Sequence, residues 1–181
     1  HNILFICLDN EAYMNTGGQR SGATPYGAST ATTPVGAVQR GKGERKKDVA
    51  AIIVDHQAPY VATASVAFPI DYLRKVVKAT KIRGPKFIHV HCPCPVGWGF
   101  ESWRTIEVAR LAVQTRMWPL YEVVNGQYRI THIPRRVRPV RDYLRIQRRF
   151  RHLTEEEIAH IQRRVDEAWK SLLRRANGAA W

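Results

Sequence analysis

Three apolar runs of strand length are spaced along the first half of the chain: ILFICL at 3–8, YVATASV at 60–66 and KFIHVHC at 86–92. Strands apolar on both faces suit the interior of a parallel sheet with helices on either side, so residues 2–8 are expected to be fully buried. Between the second and third runs, Pro69 opens PIDYLRKVVKATKI, whose apolar residues recur every three and four positions until Gly84-Pro85 ends it. KKDVAAIIVDH at 46–56 and RTIEVARLAVQT at 104–115 read as further helices. PLYEVVNGQYRITHI alternates about Asn125-Gly126, a two-residue hairpin signal. Helices are also expected over 140–150 and 155–175, the second opening with Thr154 and Glu157 at capping-box spacing. The order strand–helix–strand–helix–strand predicts an α/β fold with a mainly parallel sheet, flanking helices and a helical C-terminal tail. The expected division is an α/β domain over 1–120, with the hairpin and a basic tail over 121–181 packing on it or on a partner subunit.

With 181 residues, 44% of them hydrophobic and 24% charged, the chain is long enough for a core and too apolar for disorder. No apolar run is long enough to span a membrane, and no secretory leader is visible, so the expectation is a cytoplasmic protein without membrane contact. The net charge of +14 is concentrated in RRVRPVRDYLRIQRRFRH at 135–152. Such a segment can follow phosphates, dock an acidic protein or form a solvated helix face. No zinc, RRM or KH signature supports the nucleic-acid alternative. In the 135–152 segment Asp142 is the sole acid, so its arginines are expected to lie unpaired, with Arg141, Arg145 and Arg148 on one helix face. That face is expected at a subunit boundary or near an acidic protein partner.

The segment after the first strand, LDNEAYMNTGGQRSGATPYG, contains small polar residues and glycines in place of aliphatic ones. Ligands of α/β folds sit beyond the carboxyl ends of strands, where this segment and the 92–99 turn both lie. The Asn10 amide oxygen and a backbone carbonyl two residues later suit Mg²⁺. Asn15, Thr16, Gly17 and Gly18 offer amides and close backbone approach to a diphosphate. A bland polar loop fits the same residues. Of the three cysteines, Cys7 reads as core, while Cys92 and Cys94 are too close in sequence for a disulfide and too few for a complete cluster site.

DNEAYMNTGGQRSGATPYGA resembles the thiamine-diphosphate loop of the β subunit of pyruvate:ferredoxin oxidoreductase (pyruvate synthase). TTPVG, the GK…RKKD turn, APYVATASVA, GPKFIHVHCPCPVGW, RLAVQTRMWPLYEV and QRRFRHLTEEEI resemble the same family in the same order. The resemblance implies a thiamine-diphosphate-binding fold and a component of a multi-subunit 2-oxoacid oxidoreductase, for which pyruvate is the expected substrate and a branched 2-oxoacid an alternative. It implies oxidative decarboxylation to acyl-coenzyme A, with single electrons passing to a [4Fe–4S] cluster and then to ferredoxin. It places Asn10 and the Ala12 carbonyl on Mg²⁺, Tyr13, Thr16 and Gly17 at the cofactor, Asn15 beside the cofactor and substrate, and Cys94 on the cluster with Cys92 as a bystander.

Two family features are missing from the sequence: the Gly-Asp-Gly that completes the Mg²⁺ site and the remaining cluster cysteines, beginning with a Cys-x-x-Cys. The resemblance is therefore to the carboxyl-terminal portion of that subunit, and the chain by itself is expected to be inactive. A non-catalytic interaction subunit and a basic nucleic-acid-binding module are the alternatives. His89 and His91 read as core or site-lining histidines, Trp98 and Trp103 as packing, and Glu11 as structural. Lys42, Lys46 and Lys47 read as a solvated turn, with contact to an anionic cofactor or coenzyme A as the alternative.

Overall fold

The computed structural model describes residues 1–178. Five strands form one mixed sheet in the order β1-β3-β2-β4-β5: β1 (Leu4–Asp9), β2 (Tyr60–Ser65), β3 (Lys86–His91), β4 (Leu120–Val124) and β5 (Gln127–His132). The first three are parallel, and the hairpin β4–β5 adds antiparallel to β2. Asn125 and Gly126 both take positive φ, 48° and 80°, as a hairpin turn matched to strand twist requires. Helices α1 (Val49–Asp55), α2 (Pro69–Thr80), α3 (Pro95–Trp98), α4 (Thr105–Gln114), α5 (Val140–Leu144) and α6 (Glu155–Ala176) complete the order.

Alternation along the strands divides the core between the two sheet faces. Ala50 of α1 and Trp169 and Leu172 of α6 cover Val61, Phe87, Tyr121 and Val123 on one face. On the other, α2 brings Ala79 to Tyr60, Ala62, Ile88 and Val90. A third cluster joins Trp98, Val108, Leu111, Trp118, Tyr143 and Ile161. Thr154 and Glu157 form the expected capping box at the start of α6.

Three expectations need correction. β1 is an edge strand rather than a buried one: no strand among the described residues pairs with its outer edge, and on the sheet faces Phe5 is 60% and Leu8 63% exposed. The helix expected over 140–150 stops at Leu144 and continues as a short 3₁₀ turn, Arg148–Phe150. The buried Gln147 intervenes, its side chain donating back to the Tyr143 carbonyl at 2.7 Å. Arg141, Arg145 and Arg148 therefore share no single helix.

The basic segment also finds acids from outside itself. Arg141 and Arg145 pair with Glu155, and Arg149 with Glu11, while Arg138 takes Asp142 from within the segment. Arg135, Arg136, Arg148 and Arg151 are exposed and carry no ion pair among the described residues. Trp103, expected to pack, is 78% exposed, with the Arg104 guanidinium 5.6 Å from its ring centre.

The long segment 10–48 is not a loose loop. Lys42 is 4% exposed, and its ammonium donates to the carbonyls of Thr24 (2.6 Å), Arg45 (3.2 Å) and Gly22 (3.4 Å). The chain crosses itself at Gly41, whose φ is +79° and where a Cβ would sit 2.7 Å from the Gly27 oxygen. Gly41→Ala is expected to lower stability by about 2 kcal/mol. Gly43→Ala, with no atom within 4 Å of the added carbon, should change it far less. Urea denaturation of both variants checks the pair.

Candidate functional site

Parallel pairing sets Asp9 opposite His91, so β1 and β3 release their following loops side by side. Two side chains then fasten those loops together. Asn10 donates from Nδ2 to the Cys92 carbonyl at 2.6 Å, and Trp98 donates from Nε1 to the Asn10 carbonyl at 2.8 Å. With its nitrogen held, the Asn10 amide keeps its oxygen available for a hard cation. The Ala12 carbonyl accepts no backbone or side-chain hydrogen bond among the described residues. Among those residues no group of three or more His, Cys, Asp and Glu side chains could hold a metal. An amide oxygen and a peptide carbonyl fit two positions of a Mg²⁺ shell, and the remaining ligands must come from diphosphate, water or further protein.

Residues 13–19 close a tight turn through Tyr13 N–H to the Gln19 carbonyl (3.0 Å) and Gly18 N–H to the Tyr13 carbonyl (3.0 Å). Gly17 donates to Met14 at 3.2 Å, so the amides of Gly17 and Gly18 are already used within the turn. Those of Asn15 and Thr16 have no protein acceptor among the described residues, and both residues are exposed. The Thr16 hydroxyl lies 2.5 Å from Gln19 Oε1, and Tyr13 is 64% exposed. Of the expected diphosphate donors, Asn15 and Thr16 retain free N–H groups.

Cys94 caps α3, its Sγ accepting from Gly97 N–H at 3.4 Å. A Cβ at Gly97 would collide with Met14 Sδ, so the cysteine turn and the 13–19 turn are in direct contact. Cys92 differs: burial pushes its thiol up to about 11, with Asp9 adding to the effect. A thiol held protonated is a poor cluster ligand. Cys7 is half-buried against the α1 and α6 face, and burial raises its thiol also.

Beneath these turns lies a buried network of charges that spacing in the sequence does not display. Asp9 Oδ2 accepts from Lys46 Nζ (2.6 Å) and His89 Nε2 (2.8 Å), while its Oδ1 accepts from Glu11 N–H (2.7 Å). Glu11 in turn accepts from Lys46 (3.1 Å) and Arg149 (2.6 Å). The Arg149 guanidinium lies 3.8 Å from the centre of the Trp98 ring, and its Nε donates to Gln147. Asp9, Glu11, His89 and Arg149 are each at most 5% exposed.

Lys46 and Lys42 thus depart from the solvated-turn expectation; Lys47 is exposed as expected. Arg149, expected in the unpaired basic face, is internal. Residues 37 and 138 positions apart become partners only once the chain folds, and the one visible signal is the presence of Asp9 and Glu11 at the end of an apolar run. Glu11 itself takes φ +63°, a conformation held by Thr24 Oγ1 on its carbonyl at 2.6 Å.

The charges set the protonation states. Burial works to raise Asp9, but the His89 hydrogen bond and Lys46 outweigh it and hold the carboxyl far below its usual range. Burial likewise opposes Glu11, and Lys46 and Arg149 reverse the balance. His91 is pulled down to about 4, chiefly by burial. Between that value and about 6.5, the ordinary histidine pKa, the unfolded chain binds the extra proton, so stability falls as pH drops through this window. The depressed carboxylates add stability present above about pH 4 that is lost below it. Urea midpoints between pH 3 and 7 should therefore decline from about pH 6.5 downward. His91→Gln should flatten the upper part of that decline and leave the lower part.

Residues 1–90 match the family model described as Thiamine pyrophosphate enzyme, C-terminal TPP binding domain. The chain is 54% identical over 172 residues to the Pyruvate synthase subunit PorB of Methanocaldococcus jannaschii, covering 95% of this chain and 58% of that protein. It is 49% identical over 174 residues to the Ketoisovalerate oxidoreductase subunit VorB of Pyrococcus abyssi, covering 95% of this chain and 56% of that one. The chain thus spans less than two thirds of the length of these relatives. A solved structure of the 2-oxoglutarate:ferredoxin oxidoreductase from Magnetococcus marinus, with 2-oxoglutarate, coenzyme A and succinyl-CoA bound, gives a TM-score of 0.47 at 26% identity. That likeness covers 52% of this chain and 31% of the other.

Proposed function

We propose that this chain, which belongs to the family of pyruvate synthase β subunits and their 2-oxoacid oxidoreductase kin, forms the cofactor-binding portion of a 2-oxoacid:ferredoxin oxidoreductase. The observation that carries this reading is the pair of hydrogen bonds joining Asn10 to Cys92 and Trp98 to Asn10. They put a candidate Mg²⁺ ligand and a candidate cluster thiolate on two loops fastened to each other. Thiamine diphosphate would supply the electron sink for decarboxylation of a 2-oxoacid, and a [4Fe–4S] cluster the one-electron carrier toward ferredoxin, with coenzyme A taking the acyl group.

Within that assembly Asn10 and the Ala12 carbonyl would hold Mg²⁺, and the Asn15 and Thr16 amides would donate to the diphosphate. Tyr13 and Gly17 would border the cofactor, and Asn15 would lie beside the cofactor and substrate. Asp9, Lys46, Glu11 and Arg149 hold the loop without touching the reactants. The exposed apolar edge of β1 suits a further strand, since unpaired strand edges are templates for pairing. That strand is a place for the missing acidic Mg²⁺ ligand. The names of the relatives as subunits support a multi-subunit enzyme. Pyruvate and a branched 2-oxoacid both remain compatible, as the two sets of relatives are named for each.

Arg148 and Arg151, with Arg104, border a recess beside the Cys94 turn, where Val96 is 88% exposed. This is the face suited to an acidic electron acceptor. The pairing of four other arginines removes most of the support for nucleic acid. In the complete enzyme, Cys94→Ser should abolish the low-temperature EPR signal of one cluster, whereas Cys92→Ala should leave it. Asn10→Ala should weaken Mg²⁺-dependent thiamine diphosphate binding at least about tenfold. Retention of cofactor affinity in Asn10→Ala, or equal cluster loss in both cysteine variants, contradicts the assignment.

A further inference from the structure

A cavity of about 740 Å³ lies between the sheet and α6, within the size range of small-molecule sites. Its floor is Thr63, His89, His91, Trp118 and Tyr121, all buried. Glu11 and Lys46 border it from beneath the loop, but Asn10, Ala12, Tyr13, Asn15, Thr16 and Gly17, the residues assigned to Mg²⁺ and diphosphate, do not.

Two buried polar atoms in its lining have no hydrogen-bond partner among the described residues: His91 Nδ1 and Arg116 Nε. His91 is 1% exposed, and its Nε2 lies 3.3 Å from the Tyr143 hydroxyl. The neutral ring therefore has one nitrogen unanswered, a donor or an acceptor according to tautomer. Buried polar groups in folded proteins are nearly always satisfied, so an unpaired one in a cavity wall marks a place for a ligand atom.

The rim adds charge. Arg45, Lys47, Arg116 and Arg164 border the cavity, and among the described residues none of them forms an ion pair. Burial, and then the charge of Arg45, oppose the protonated guanidinium of Arg164. The acids on the lining are otherwise engaged or outnumbered. Glu11 is held by Lys46 and Arg149, Asp48 caps α1, and Glu167 faces Arg164 from the same helix.

We infer that this cavity is a binding site for a small organic phosphate bearing a planar, hydrogen-bonding ring, in the class of nucleoside monophosphates. The phosphate meets the guanidinium and ammonium groups of the rim, and the ring enters toward Trp118 with a polar edge for His91 Nδ1. An inorganic anion would leave most of the volume and the aromatic floor unfilled. A purely aliphatic ligand would leave His91 and Arg116 unpaired.

Adenosine monophosphate is the probe, titrated calorimetrically into the full-length subunit in the presence of EDTA. The expected result is saturable binding without divalent cation, weakened at least about tenfold by R45E and R164E together. It should move the ¹⁵N resonance of His91 Nδ1 and persist in Asn10→Ala. Ser171→Trp, which adds a ring to the cavity from α6, should block it, with far-ultraviolet circular dichroism confirming an unchanged fold. Absence of binding overturns the inference. So does binding that requires Mg²⁺ and disappears in Asn10→Ala, which would place the nucleotide at the cofactor loop. Inorganic phosphate binding as tightly as the nucleotide would reduce the site to a basic surface and would also overturn it.

Discussion

The Lys46 ammonium, placed between the carboxylates of Asp9 and Glu11, is the contact on which the arrangement of loops depends. It joins the last residue of an edge strand to the far end of a segment that begins next to it, and it also donates to the Ala23 carbonyl between them. Arg149 satisfies the other Glu11 oxygen from the C-terminal half of the chain. Charges this deeply buried are tolerable because every oxygen of the two carboxylates has a donor and the Lys46 ammonium uses three acceptors. Removing one cation would leave one Glu11 oxygen without its donor in the interior, which costs more than losing a surface pair.

This network supports the loop proposed to hold the cofactor, one layer above it. Asp9 and Glu11 flank Asn10, so the two buried carboxylates fix the backbone on either side of the amide proposed to hold Mg²⁺. The Arg149 guanidinium on the Trp98 ring fixes the side chain that reaches the Asn10 carbonyl. A loop rich in glycine and small polar residues thereby acquires one conformation before any cofactor binds, which lowers the ordering cost of binding. Rigid second contacts of this kind are what hold a binding geometry to within fractions of an ångström.

Much of the architecture was readable along the sequence. The helix opened by Pro69, the hairpin at Asn125-Gly126 and the capping box at Thr154 depend on neighbours within a few residues, and all three appear where expected. The loop after β1 lies where its place behind a strand predicted, whereas the cofactor roles of Asn10 to Gly17 come from the resemblance and stand as proposals. What local pattern could not reveal were partnerships across the chain. Lys42 and Lys46 look like a solvated turn until the fold brings carbonyls and carboxylates around them. Arg149 looks like one arginine among eight until Glu11 meets it. ILFICL reads as buried because its side chains are apolar on both faces, yet burial of an edge strand depends on what lies beside it, and that is a property of the assembly.

The central claim is that the cofactor loop and the cysteine turn behave as one mechanical unit through Asn10 and Trp98. Hydrogen exchange on the full-length subunit, with and without Mg²⁺ and thiamine diphosphate, tests it most directly. Ligand addition should slow exchange at the amides of Gly97, Trp98, Gly99 and Phe100 together with those of residues 13–19. Protection confined to 13–19, with the 97–100 amides unchanged, would contradict it.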